Sequence, residues 1–240
     1  MSKTLEKTYG GAVRGIYFLA NPIKKIIIKT TCVVHKYINS IAIEILKKNE
    51  FDEQYKFFSK NIDAINEGTV WADQNFKSSN HFFHHETGRG LYGFSDALSE
   101  CKKYYKMSLG FLRAGDKKKS LFYFGAACHV MQDSTVPQHV HKKLLDNHRG
   151  FEVWIIAKLK LGYKFEKGSK IIREENLEKY VKGNAKFTNI VYNKYRRIED
   201  ENIKNTRISN SIIPRAEMTT AGFMLDYYEK YIQIQGIFRS

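Results

Sequence analysis

Between residues 129 and 152 the chain carries five side chains of the kinds that bind metal ions: His129, Asp133, His139, His148 and Glu152. His129 and Asp133 are four residues apart, and so are His148 and Glu152. On a helix that interval puts both side chains on one face, about one turn apart, where an imidazole and a carboxylate can close on a single ion. His139 follows Pro137, whose ring turns the chain so that this histidine can point back. Nitrogen and carboxylate donors suit zinc in a catalytic setting, where a coordination position stays open for water. A single His–Asp pair on a helix is commonly a surface hydrogen bond; five donors within 24 residues call for metal.

The elements that must position these residues read as helices. Asn21-Pro22 has the form of a helix start, and apolar residues then recur at three- and four-residue intervals to about residue 48. Residues 68–92, rich in Gly, Ser and Asn, read as a long loop, and long loops are often functional. Helical spacing resumes after Ser95-Asp96, closes at Gly115, and starts again behind Asp116 in KKKSLFYFGAACHVMQD, with Pro137 marking its end. Further helical stretches lie at about 148–160, 173–183, 186–204 and 216–235. The tyrosines of LDYYEKYIQ recur at helical intervals and read as core. The fold class is all-α. With no internal repeat and no low-complexity linker, residues 1–240 read as one multi-helix domain, of which 1–29 are a basic N-terminal extension.

Composition limits the partners. The chain of 240 residues is 42% hydrophobic and 14% aromatic, enough for a sizeable core and inconsistent with disorder. Three cysteines are too few, and odd in number, to make a disulfide framework. The net charge is +15, and residues 1–48 alone hold nine basic and two acidic side chains. Such a surface favours phosphate-bearing partners, either anionic lipid or nucleic acid. No stretch reaches the roughly 20 apolar residues of a membrane span, and GGAVRGIYFLANP, interrupted by Arg14, is a poor signal-peptide core. Nothing points to a protein partner.

Upstream of residue 129, His35, Asp73 and His81 are further donors that spacing alone does not tie to the site. Taken in order with H-x₃-D-x₅-H at 129–139 and H-x₃-E at 148–152, they resemble the bacterial zinc-dependent phospholipase C family of alpha-toxin type. FYFGAACHVMQDSTVPQH is similar to that family's aromatic, small-residue and H-x₃-D signature ending in P-x-H, and EMTTAGFMLDYYEKY to its final helix. The resemblance covers roughly residues 30–235. It implies a helical domain with two or three zinc ions at the base of a cleft, and the chain has no room for the β-sandwich that some relatives append. His129, Asp133, His81 and Asp73 would surround one ion; Asp133 would bridge to a second, which His35 serves; His139, His148 and Glu152 would hold another. Asp73 would also be the general base. Zinc ions neutralise phosphodiester oxygens and acidify water.

This chain departs from the family at several points. Secreted members supply an amino-terminal tryptophan ligand beside the first histidine, whereas the only tryptophans here are Trp71 and Trp154. Cys32, three before His35, could offer a thiolate in its place; an inert buried cysteine is the ordinary alternative. Gln74 and Ser78 stand where the family has aromatic headgroup contacts, so a choline preference does not carry over. His84 replaces an acidic residue. With His85 and His141 it could be an auxiliary ligand, although loop histidines are commonly just exposed. The leading expectation is a zinc phosphodiesterase of phospholipase C type acting on an anionic phospholipid surface. The alternatives are a three-zinc single-strand nuclease, for which nucleic acid would be the partner, and a zinc-binding, membrane-associated homologue without activity. The resemblance suggests a secreted or surface-associated protein.

Overall fold

The computed structural model describes residues 21–74, 77–91, 94–141 and 148–237, with side chains from Cys32 onward and without those of Ser78, His148, Arg149 and Ile237. Every regular element among them is helical, as the all-α expectation requires. In chain order these are α1 (Asn21–Lys48), α2 (Asp52–Lys60), α3 (Ile62–Ala72), a 3-10 turn (Lys77–Asn80), α4 (Ala97–Arg113), α5 (Lys117–Asp133), α6 (Pro137–Val140), α7 (His148–Lys160), α8 (Leu177–Tyr195) and α9 (Glu201–Ile237). Residues 1–20 of the basic segment lie outside the described residues, and the rest of it belongs to α1. No helix of the described residues is long and apolar enough to cross a membrane.

The expected helix starts have their chemistry. Asp96 accepts a hydrogen bond from the Ser99 backbone N–H at 3.0 Å, and Asp116 accepts one from Lys119 at 3.0 Å, each satisfying a donor that the first turn leaves open. Gly115, with φ of +80°, ends the segment between them in a conformation that suits glycine.

Several boundaries differ from expectation. Gly68 to Ala72 belong to α3 and not to the loop, which begins at Asp73. Pro137 does not terminate α5; it opens α6 from the first helical position, where its missing N–H costs nothing. α8 begins at Leu177, runs without a break across residues 183–186 and ends at Tyr195, so the helix expected over 186–204 is interrupted before α9 begins at Glu201. α9 spans 37 residues with Pro214 inside it. In addition, α2 and the first part of α3 fill a stretch for which periodicity offered no assignment.

The helical placement of Gly68 has a tertiary cause. A Cβ there would lie 1.7 Å from the Phe122 carbonyl oxygen, and one on Gly125 would lie 1.9 Å from that of Ile65. The backbones of α3 and α5 therefore cross in near contact at two facing glycines, and Thr69 Oγ1 lies 3.2 Å from the Gly125 carbonyl oxygen. Loop-like composition is here the signature of a close crossing.

α5 is the central element, packed against α3, α4, α8 and α9. All of its residues from Phe124 to Asp133 are buried, which explains its lack of a polar face. One end rests on aromatic packing: the rings of Phe124 and Tyr227 are 4.4 Å apart, and the Tyr227 hydroxyl lies 2.7 Å from Ser120 Oγ. Of the C-terminal tyrosines, Tyr227 thus belongs to the core, and Tyr228 and Tyr231 are partly buried against it. The other end of α5 carries the metal-type residues. A second apolar cluster, including Phe151, Ile155, Ile208 and Ile212, packs α7 against α9 beside that end.

Candidate metal centre

Four histidines from four elements converge on one buried carboxylate. His35 comes from α1, His81 from the segment behind the 3-10 turn, His129 from α5 one turn before Asp133, and His139 from α6. Asp133 Oδ2 lies 2.7 Å from His81 Nδ1 and 3.1 Å from His129 Nε2. Its other oxygen, Oδ1, faces His35 Nε2 at 3.4 Å and His139 Nε2 at 3.9 Å. His81 is fully buried, and His129, Asp133 and His139 are at most 3% exposed. The i, i+4 pair, His139 behind Pro137, and two of the three upstream donors, His35 and His81, lie around this carboxylate.

The hydrogen-bond network assigns the tautomers. Asn39 Nδ2 donates to Asn66 Oδ1 at 3.1 Å and to Thr69 Oγ1 at 3.2 Å, so its oxygen is the atom that accepts from Gln132 Nε2 at 2.8 Å. Gln132 Nε2 also donates to Thr220 at 3.1 Å. The Gln132 oxygen is thereby turned to His35 Nδ1, which donates to it at 2.9 Å. His35 Nε2 is left with its lone pair directed at Asp133 Oδ1. His139 repeats the arrangement: its Nδ1 donates to the His81 backbone carbonyl at 3.2 Å, and its Nε2 faces the same oxygen. A His35 nitrogen, a His129 nitrogen and an Asp133 oxygen lie within 4.8 Å of one another, close enough to hold one metal ion. His81 Nε2 and His129 Nδ1 are buried without a hydrogen-bond partner. Buried polar atoms are rarely left so. The donor set fits zinc.

The electrostatics agree with that geometry. Burial and the adjacent His129 ring, whose centroid is 4.1 Å away, push His35 down to about 4, so it is neutral and ready to ligate at ordinary pH. Burial would lower His129, but the charge and hydrogen bond of Asp133, with the charges of Asp73 and Glu152, together outweigh it and raise that imidazole. Burial would raise Asp133, yet His129 and His139 hold it well below the usual carboxylate range. Asp73, at the C-terminal end of α3, is raised by burial; the charges of His129, Asp133 and His81 all reach it. Glu152, on α7, acts electrostatically on His35, His129 and Asp73, and with His35 and Gln132 it lines a cavity of about 40 Å³. The side chain of His148 lies outside the described residues.

Cys32 Sγ lies 4.0 Å from Asp73 Oδ2. Burial, reinforced by Asp73 and Asp133, pushes its thiol well above the ordinary range, the opposite of what activates a thiolate. Spacing missed Gln132, Asn39 and Thr220, which determine the tautomer of His35. Polar residues inside an otherwise apolar helix were the available signal, but their partners lie 88 to 93 positions away in sequence.

An all-helical scaffold that focuses four imidazoles on one buried carboxylate defines a histidine–carboxylate metalloprotein. Residues 34–205 match the zinc dependent phospholipase C family, and the chain belongs to it. Among solved structures it is similar to the alpha-toxin of Clostridium perfringens from avian strain SWCP, with a TM-score of 0.66 and 17% identity over 84% of this chain. It is similar also to the alpha toxin of Clostridium absonum, with a TM-score of 0.66 and 18% identity over 84% of this chain. In each case the match covers 63% of the toxin chain. No curated protein matches the sequence.

Proposed function

We propose that the protein is a zinc-dependent phosphodiester hydrolase of phospholipase C type, cleaving phospholipid into diacylglycerol and a phosphorylated headgroup. The observation that carries this reading is the convergence of four histidines on Asp133 in a chain of this family. His129, Asp133, His81 and Asp73 would hold one ion, His35 would serve a second that shares Asp133, and His139, His148 and Glu152 would hold another, making two or three in all. Zinc, when bound, neutralises the phosphodiester oxygens and makes water more acidic.

The chain's own residues do the rest. Water attacks phosphorus, and the bond to the diacylglycerol oxygen breaks. Asp73, whose proton affinity burial has raised, takes the proton that the water gives up. Asp73 then passes that proton to the leaving diacylglycerol oxygen, which restores its carboxylate and leaves one water consumed. Gln132 holds His35 in the tautomer that presents Nε2. The net charge of +15 draws the protein to anionic bilayers, each basic contact contributing about 1 kcal/mol near such a surface.

The test compares substrates. Zinc-loaded protein is expected to release diacylglycerol from vesicles, faster from those containing anionic lipid than from pure phosphatidylcholine, with the difference falling as salt screens the surface. No diacylglycerol from any vesicle, together with cleavage of single-stranded DNA, would replace this reading with a nuclease.

A further inference from the structure

We infer that His84, His85 and Glu86, with His141 beside them, form a second site for a divalent cation of the zinc class, separate from the centre at Asp133. One ligand atom from each of His84, His85 and Glu86 lies within 4.8 Å of the other two. Three consecutive residues of an extended strand point to alternate sides and could not converge in this way. Here a tight turn gathers them: the Gly88 N–H donates to the His84 carbonyl at 2.8 Å, and His84 N–H donates to the Arg89 carbonyl at 3.0 Å. Gly88 makes the turn possible with φ of +63°. The Thr87 N–H approaches His84 Nδ1 at 3.4 Å, which steadies the ring.

A second element brings the fourth donor. His141, at the end of α6, places its ring 5.3 Å from that of His85, while His84 and His85 stack at 4.8 Å. Tyr192 of α8 backs His141 with ring centroids 4.6 Å apart. These histidines are half-buried, not freely exposed as loop residues commonly are. The loop that carries them is tied down on both sides: Phe83 N–H donates to the His139 carbonyl at 3.0 Å, and Ala97 N–H donates to the Phe82 carbonyl at 3.1 Å.

Three imidazoles and a carboxylate, with no thiolate, suit zinc, nickel or copper better than calcium or magnesium. An ion held there would clip the turn after His81 to the end of α6 after His139, the two segments that also feed the inner centre. This assignment goes beyond the hydrolase reading, and none of its readouts is lipid cleavage.

The test uses the full chain with its tightly held ions in place, titrated with Zn²⁺ or Co²⁺ and followed by calorimetry and elemental analysis. The wild type is expected to take up one additional ion per chain, and a His84→Ala/His85→Ala variant to lose that uptake while keeping the resident ions. No additional uptake by the wild type, or unchanged uptake by the variant, would overturn the inference. Should the variant fail to fold, acylation of histidines by diethylpyrocarbonate, mapped on the wild type by mass spectrometry, decides the matter. Added Zn²⁺ is expected to protect His84, His85 and His141, and equal modification with and without it would also overturn the site.

Discussion

The same two segments, residues 81–86 and 139–141, feed two histidine clusters that differ in how they are held. At the inner cluster, two of the four imidazoles have their second nitrogen held by buried groups: Gln132 for His35 and the His81 carbonyl for His139. The donors come from helices α1, α5 and α6 and from the segment at His81, and the buried ones cannot turn away without disturbing core packing. The outer cluster depends on one turn and on ring stacking, and Glu86 is exposed. Burial and orientation, more than residue type, separate a preorganised centre from an adaptable one, because ligands already fixed lose little entropy when an ion arrives.

The contrast is broken most severely at Asp133. Asp133→Asn removes the charge that all four inner histidines face, and loss of the resident ions and of turnover is expected, with the outer uptake of Zn²⁺ retained. Chelating the inner ions should lower thermal stability as well, since an ion present at about 100 times its Kd stabilises the fold by roughly 2.7 kcal/mol. Elemental analysis and calorimetric melting check both. Ions retained at full occupancy in the variant would remove Asp133 from the centre.

Asp73→Asn sharpens the comparison by separating chemistry from ion binding. Turnover should fall by about 10² to 10⁴ with the fold kept, the usual cost of losing a general base. Steady-state kinetics at measured zinc occupancy gives the answer; unchanged kcat at full occupancy would place Asp73 outside the chemistry.

Gly125→Ala tests the scaffold under the inner cluster alone. With 1.9 Å between the new Cβ and the Ile65 oxygen, α3 and α5 must part. A loss of at least the roughly 1–3 kcal/mol typical of overpacking is expected in urea unfolding. An unchanged midpoint would mean that the crossing is looser than described.

Gln132→Met keeps the bulk of the side chain and removes the acceptor that fixes His35. Loss of such an outer partner typically weakens metal affinity by about 10 to 100-fold. Competition with a chromophoric chelator measures it, and turnover should recover once zinc saturates the site. Affinity equal to the wild type would show that His35 needs no such positioning.

His141→Ala is the smallest perturbation. It should weaken the uptake of the outer ion and leave the resident ions and kcat unchanged, because its ring packs against His85 and Tyr192. A fall in kcat at full inner occupancy would mean that the two clusters are coupled.

Much of this was legible in the chain itself. The donors at 129–139 could be read because i, i+4 spacing on a helix is a local geometric fact, and Asp96 and Asp116 could be read as helix caps for the same reason. His35, Asp73 and His81 were within reach only through resemblance to a family, since no local rule connects a residue of α1 with one nearly a hundred positions later. What tertiary structure alone decided is of another kind. The extension of α3 through Gly68 was set by its near contact with α5, which overrode a loop-like composition. The single tautomer of His35 was set by a hydrogen-bond chain from Asn39 through Gln132, and the gathering of His84, His85 and Glu86 by a turn at Gly88. Local spacing determines which side chains can share a face. The atom each one presents depends on partners distant in sequence, and only the folded core brings those partners into contact.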